Sequence, residues 1–276
     1  METGARVRSW AAVALAAASL VVAGLVVDAC SEPAQPVAAV RAPEPPTDYF
    51  APPELTDAAR LPGGGVALSG TAKPGAVIRL ASPSGAALLG TASTAGTWTI
   101  TAPAGATPRL YSLSEILSGR PVRAKGYLAT LPSPSLAAVV LRPGGGAEPM
   151  PGAEPRLRLS GVDFDGSGAG VAAGLAPPGD TVRLQLDGVE TGVGRANARG
   201  VFTVPLAQTL RPGSHDLTAT TARAEARAVF GAAPAGAIAR PPVAVSRVAG
   251  AWRIDWMTPG GGVQTTLVFD PTEGIA

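Results

Sequence analysis

One cysteine and one histidine stand in 276 residues. With only Cys30 and His215 to draw on, an internal disulfide, a His/Cys metal site and a Cys-His catalytic pair are excluded by counting. Large rings are scarce too: four Trp, three Tyr and five Phe, so any core is built around few bulky side chains. Charged residues make up 15% of the chain, and 22 basic against 20 acidic residues leave a net charge of +2. That excess is too small and too dispersed for a nucleic-acid footprint. What the chain has in quantity is Gly (35) and Pro (28). Helix-interrupting residues at this density exclude a helical bundle and favour short strands between turns.

The one long apolar run is at the N-terminus. Trp10 to Val27 carries no charge and follows Arg6 and Arg8, the arrangement of an export signal or a membrane anchor over residues 1–30. Its 18 residues sit at the lower limit for crossing a bilayer of roughly 30 Å. Val27-Asp28-Ala29-Cys30-Ser31 resembles the lipobox of bacterial lipoproteins, with Asp28 where a small uncharged residue is usual. Three outcomes stay open: lipidation of Cys30, an uncleaved anchor, or ordinary cleavage near Ala29. Each exports the rest of the chain, and the expected location is membrane-anchored in the bacterial cell envelope, on the periplasmic side or at the cell surface.

Residues 31–62 hold eight prolines in 32 positions, a composition that predicts an extended spacer. Tyr49-Phe50 is its one sticky spot. Beyond it the chain repeats itself. Gly70 to Ile100 aligns without a gap on Gly174 to Val204, at an offset of 104 residues, with ten identities in 31 positions. Among these are Gly70/Gly174, Pro74/Pro178, Gly75/Gly179, Leu80/Leu184, Gly90/Gly194 and Gly96/Gly200. A period this long is that of whole domains in tandem. Pro-Gly turns, the runs Val77–Leu80 and Val182–Leu186, and a second glycine turn before Trp98 or Phe202 predict antiparallel strands, with those two rings as equivalent core side chains.

The pattern G-x-A-x-P-G, then V-x-L, then G-x-W/F-x-V resembles the bacterial Ig-like domain. The resemblance implies an all-β fold of tandem Ig-like antiparallel β-sandwiches, after the N-terminal signal or anchor helix and the Pro-rich linker. It further implies a spacing, adhesive or binding role without catalysis. The modules are expected at 63–143, with strands beyond a minimal copy in 108–143, and at 155–232. Residues 144–154 form a Gly/Pro-rich linker expected to turn and fray, and 233–276 carry a Pro/Gly stretch and a C-terminal β-hairpin. In that hairpin Trp252, Ile254 and Trp256 share one strand face, and Val263, Thr265, Leu267 and Phe269 share a face of the partner strand and are expected to pack with them.

Three groups invite a chemical reading. Asp163, Asp165 and Ser167 space oxygen ligands as a Ca²⁺ loop does, but the twelfth position is Gly174, not Glu, and a polar turn is the expectation. His215 occupies the place of Tyr111 in the sister copy and has no nucleophile signature beside it, so a structural role is expected. Trp252 and Trp256 offer either a core stripe or a platform for sugar rings, and core is the expectation. The chain is thus expected to be a non-enzymatic envelope protein without a cofactor or nucleic-acid partner. It meets the membrane through its N-terminus and an envelope protein or a cell-wall glycan through its modules, with the aromatic hairpin the glycan-binding alternative.

Overall fold

The computed structural model describes residues 51–150, 156–235, 238–239 and 241–269. The apolar N-terminal run, Cys30 and Tyr49-Phe50 lie outside the described residues. Among those residues the chain is all-β, with 20 strands in four antiparallel sheets. No helix among them is long and apolar enough to cross a membrane.

In the first sandwich the strands are β1 (Glu54–Arg60), β2 (Val66–Thr71), β3 (Val77–Ala81), β4 (Ala87–Thr91), β5 (Thr97–Ala102), β6 (Arg109–Leu117), β7 (Arg120–Arg123), β8 (Tyr127–Thr130), β9 (Ala138–Leu141) and β10 (Ala147–Pro149). A sheet in the order β1-β2-β5 faces one in the order β10-β9-β8-β6-β3-β4, with β7 also paired to β6. The second sandwich has β11 (Arg158–Asp165), β12 (Gly170–Leu175), β13 (Thr181–Leu186), β14 (Val189–Arg195), β15 (Val201–Pro205), β16 (Gly213–Thr220), β17 (Glu225–Ala232), β18 (Val243–Val248), β19 (Ala251–Met257) and β20 (Val263–Phe269). Its sheets run β15-β12-β11-β20-β19-β18 and β14-β13-β16-β17. In both halves the first, second and fifth strands face the fourth, third and sixth, the Ig-like order.

The repeat is longer than the identities that reveal it. At the same offset β1 falls on β11 and β6 on β16, and even the bulges coincide, between Leu55 and Asp57 and between Leu159 and Gly161. The shared glycines have steric reasons. Gly70 pairs with Trp98 and Gly174 with Phe202. A Cβ on Gly70 would lie 2.6 Å from the Trp98 ring, and one on Gly174 would lie 2.5 Å from the Phe202 ring. Each glycine is the notch that lets its large ring lie flat against the sheet. Trp98 and Phe202 are 2% and 1% exposed, at the centres of two separate cores.

Two stretches differ from the composition-based expectation. Residues 54–60, read as spacer, form β1, because Leu55 and Ala58 turn toward the first core and pair the strand to β2. Residues 147–149, read as fraying linker, form β10 on the edge of β9, with Ala147 fully buried and Met150 3% exposed. Proline and glycine density hid both, since the apolar contacts that fix them are non-local.

Candidate functional site: the junction of the two sandwiches

Each sandwich adds strands that its repeat partner lacks, and the additions meet. In the first, two extra residues enter the last part of the basic fold. Arg123 lies opposite Ser114 but Leu128 opposite Tyr111, so five steps along β7–β8 span three along β6. Gly126 sits in this bulge at φ +84°, and a Cβ there would come within 2.0 Å of the Leu141 carbonyl. Only glycine fits the approach. The bulge delivers β8 to β9, and β9 to β10.

In the second sandwich the C-terminal hairpin joins the sheet rather than standing apart: β20 pairs along β11, Val162 opposite Leu267 and Phe164 opposite Thr265. Alternate residues then face opposite ways. Ala251, Leu267 and Phe269 enter the second core, where Phe269 and Phe230 stack with centroids 5.6 Å apart. Ile254, Trp256 and Val268 point outward, into a third core that also holds Leu110, Ala129, Leu131, Leu136, Val139, Leu141 and Ala147 of the first sandwich.

This corrects the expected pairing of the hairpin faces. Trp256 lies opposite Gln264 and Ile254 opposite Thr266, so the aromatic stripe shares its face with Gln264, Thr266 and Val268, while Val263, Thr265, Leu267 and Phe269 lie on the reverse. The stripe is core, but the core of the junction. Trp256 is 0% exposed, its indole N–H donates to the Thr266 hydroxyl at 3.0 Å, and Tyr127 of the first sandwich meets it edge-on at 5.8 Å and 77°. Trp252 is half-buried at the rim, with the Arg247 guanidinium 4.8 Å from its ring centre. A sugar ring has no open face on Trp256, and Arg247 already stacks on Trp252.

Polar contacts fasten the same seam. Glu148 on β10 pairs with Arg142 and, at 2.9 Å, with Arg199 of the second sandwich. Arg158 Nη1 donates to the Ser135 carbonyl at 2.6 Å, and the buried Ser160 hydroxyl donates to the Ala147 carbonyl at 2.8 Å. On the far side of the hairpin, Arg253 binds Asp255 and donates to the carbonyls of Ala233 and Pro234, which ties the segment after β17 to β19. Two cavities flank the seam. One of about 210 Å³ lies beside the bulge, lined by Pro53, Leu113, Lys125, Tyr127, Arg142 and Arg199. The other, about 410 Å³, lies between the β3–β4 turn and the edge of β18 and is lined by Leu88, Pro108, Leu110, Tyr111, Val243 and Val245.

The remaining chemical candidates separate. His215 sits inside its sheet edge beside Phe230, at 5.6 Å between ring centres, the place that Tyr111 holds in the first sandwich. Nδ1 lies 2.8 Å from the Asp187 carboxylate and Nε2 2.8 Å from the Arg211 carbonyl. Both partners accept, so these contacts favour the protonated ring, in which both nitrogens donate. Burial opposes that charge, but the Arg211 carbonyl and Asp187 outweigh it and raise the His215 pKa above 6.5. Both ring nitrogens are thus engaged, tying the turn at Asp187 to the segment at Arg211. Asp165 spends its carboxylate on its own turn, accepting from the Ser167 amide at 2.9 Å and hydroxyl at 2.6 Å. Asp163 lies on the same strand face but is 1% exposed, beneath the junction. The two do not form a cation loop, and no group of three His, Cys, Asp or Glu close enough to hold a metal occurs among the described residues. Cys30 lies outside them.

No family model matches the chain, and no curated protein does. Among solved structures, similarity extends to a biofilm-associated protein BSP domain, at 13% identity and a TM-score of 0.24 over 67% of this chain. The chain spans 30% of that protein's length. A central fibronectin-III array of RIM-binding protein follows at 12% identity and a TM-score of 0.25, covering 80% of this chain and 89% of the other. A fragment of a 1.5-MDa bacterial ice-binding adhesin gives 12% and 0.21, covering 82% and 89%. The Ig-like assignment rests on the strand order of the chain itself.

Proposed function

We propose that this chain is a non-catalytic element of the bacterial cell envelope. It is exported and held at the membrane through residues 1–30, and it carries a pair of Ig-like sandwiches in one fixed orientation at the end of a proline-rich tether. Its role is that of a spacer or scaffold for an envelope protein. The observation that carries this reading is the third core. Independent binding modules on a string need no shared core, whereas a strut of defined shape does, and here both copies spend their extra strands on one.

The burial of Trp256 weighs against the glycan-binding alternative, because the face it would use is the face that holds the sandwiches together. Full-length protein in detergent, passed over purified cell wall, should therefore flow through. Retention that is lost in Trp252→Ala with unchanged melting would sink the scaffold reading and revive the glycan one. In cells the protein should fractionate with membranes, and Cys30→Ser should release it if lipid is the anchor; recovery of wild type in the cytosol would contradict export.

A further inference from the structure

Asp163 is the charged group that the junction has least reason to tolerate. It lies on β11 facing outward from the second core, opposite Thr266 of β20 and Val171 of β12, and the segment at Gly146 and Ala147 closes over it. Gly146 packs so tightly on β12 that an added Cβ would lie 3.0 Å from the Ala173 methyl. One carboxyl oxygen, Oδ2, accepts from Gln264 Nε2 at 3.2 Å; the other, Oδ1, is buried without a hydrogen-bond partner. The charged side chains on the elements packed around this face are all engaged elsewhere. Arg142 and Arg199 bind Glu148, Arg158 binds the Ser135 carbonyl, Arg247 lies over Trp252, and Asp165 binds Ser167. Among the described residues, no cation touches Asp163.

We propose that Asp163 makes the union of the two sandwiches pH-dependent, closed while its carboxyl is protonated and loosened once the carboxylate forms. Burial pushes this carboxyl up from 3.8 to about 7, against a smaller pull downward from the nearby Thr266 hydroxyl and Gly146 amide, neither of which makes a hydrogen bond of normal geometry to it. The sign follows from linkage. When the junction opens, Asp163 meets water and ionises near 4, so each step of rising pH between those values favours the open form. Above about 7 the closed form ionises too and the effect levels off. A junction built this way is tightest in acid and weakest at neutral and alkaline pH.

The test compares full-length wild type with Asp163→Asn, which keeps the acceptor for Gln264 and removes the charge. The readout is protection of the Trp256 indole N–H from hydrogen exchange, corrected for intrinsic exchange, since that N–H is donated inside the junction. Between pH 5 and pH 8 the closing constant of wild type should fall roughly a hundred-fold more than that of the variant, the linkage value for a carboxyl moved from about 4 to about 7. His215 is unchanged in both proteins and cancels. Equal falls in the two proteins would overturn the proposal. A carboxyl-carbon NMR titration of wild type, which needs no variant, should place the Asp163 midpoint near neutrality; a midpoint near 4 would overturn it equally.

Discussion

Replacing Trp256 by Ala removes the largest side chain of the junction and no part of either repeat core. The residue is 0% exposed and lies among Tyr127, Ile254, Val268 and the outward face of β8 and β9. Truncating a buried Trp to Ala costs about 3–5 kcal/mol, through lost transfer energy and the cavity left behind. Thr266, also 0% exposed, loses its indole donor, which adds about 1 kcal/mol. A total near 5 kcal/mol lowers the melting temperature of a unit this size by roughly 10–20 °C, at about 2–4 °C per kcal/mol. The assay is calorimetry on full-length protein, with Val229→Ala as a control. Val229 is 54% exposed on β17, and its truncation should stay within about 0.5 kcal/mol. Wild type should melt as one unit, and the Trp256 variant should split into two transitions as the sandwiches part. Unchanged melting in Trp256→Ala would refute the burial on which the junction rests.

The repeat cores give a parallel test: Trp98→Ala and Phe202→Ala should each cost about 3–5 kcal/mol, measured by chemical denaturation, and a cost below 1 kcal/mol in either would show that ring to be exposed. The His215 pair gives another. Because its folded pKa lies above 6.5, its stabilisation is complete below pH 6.5 and is lost as pH rises through the folded value. Asp187→Asn keeps the left-handed backbone of the hairpin turn, at φ 54°, but weakens the pair, so its melting temperature should depend less on pH between 6 and 9 than that of wild type. An identical dependence would show that the pair does not titrate.

How much of this was legible in the sequence follows from the range of the interactions. The ungapped alignment of Gly70 to Ile100 on Gly174 to Val204 was enough for the sandwich pair, because turn glycines and the notch under Trp98 or Phe202 are local or near-local requirements. The hairpin at Ala251–Met257 and Val263–Phe269 was legible too, from alternation and Thr-Pro-Gly between the strands. Its partner was not. Which face of the hairpin enters which core depends on the register of β20 against β11, about a hundred residues earlier, and Thr266 opposite Ile254 places polar and apolar residues on one face where alternation alone suggests two pure faces. β1 and β10 were hidden for a related reason, since their few apolar residues, Leu55, Ala58, Ala147 and Met150, acquire meaning only against distant strands. Asp163 was legible as a chemical residue but in the wrong setting. Spacing put it in a turn with Asp165, whereas tertiary packing buries it, and the only sequence signal was its position one strand step from Phe164 in an otherwise apolar run.

The central claim is that two sandwiches of one chain are held by a core that belongs to neither, and its most direct test is the energy that passes between Tyr127 of the first and Trp256 of the second. Their rings meet edge-on at 5.8 Å. A double-mutant cycle of Tyr127→Leu and Trp256→Leu, read by denaturant unfolding of the full-length protein, should return a coupling of about 0.5–1.5 kcal/mol, the range for such aromatic pairs. Additivity of the two substitutions to within about 0.3 kcal/mol, the behaviour of sites that do not touch, would contradict it.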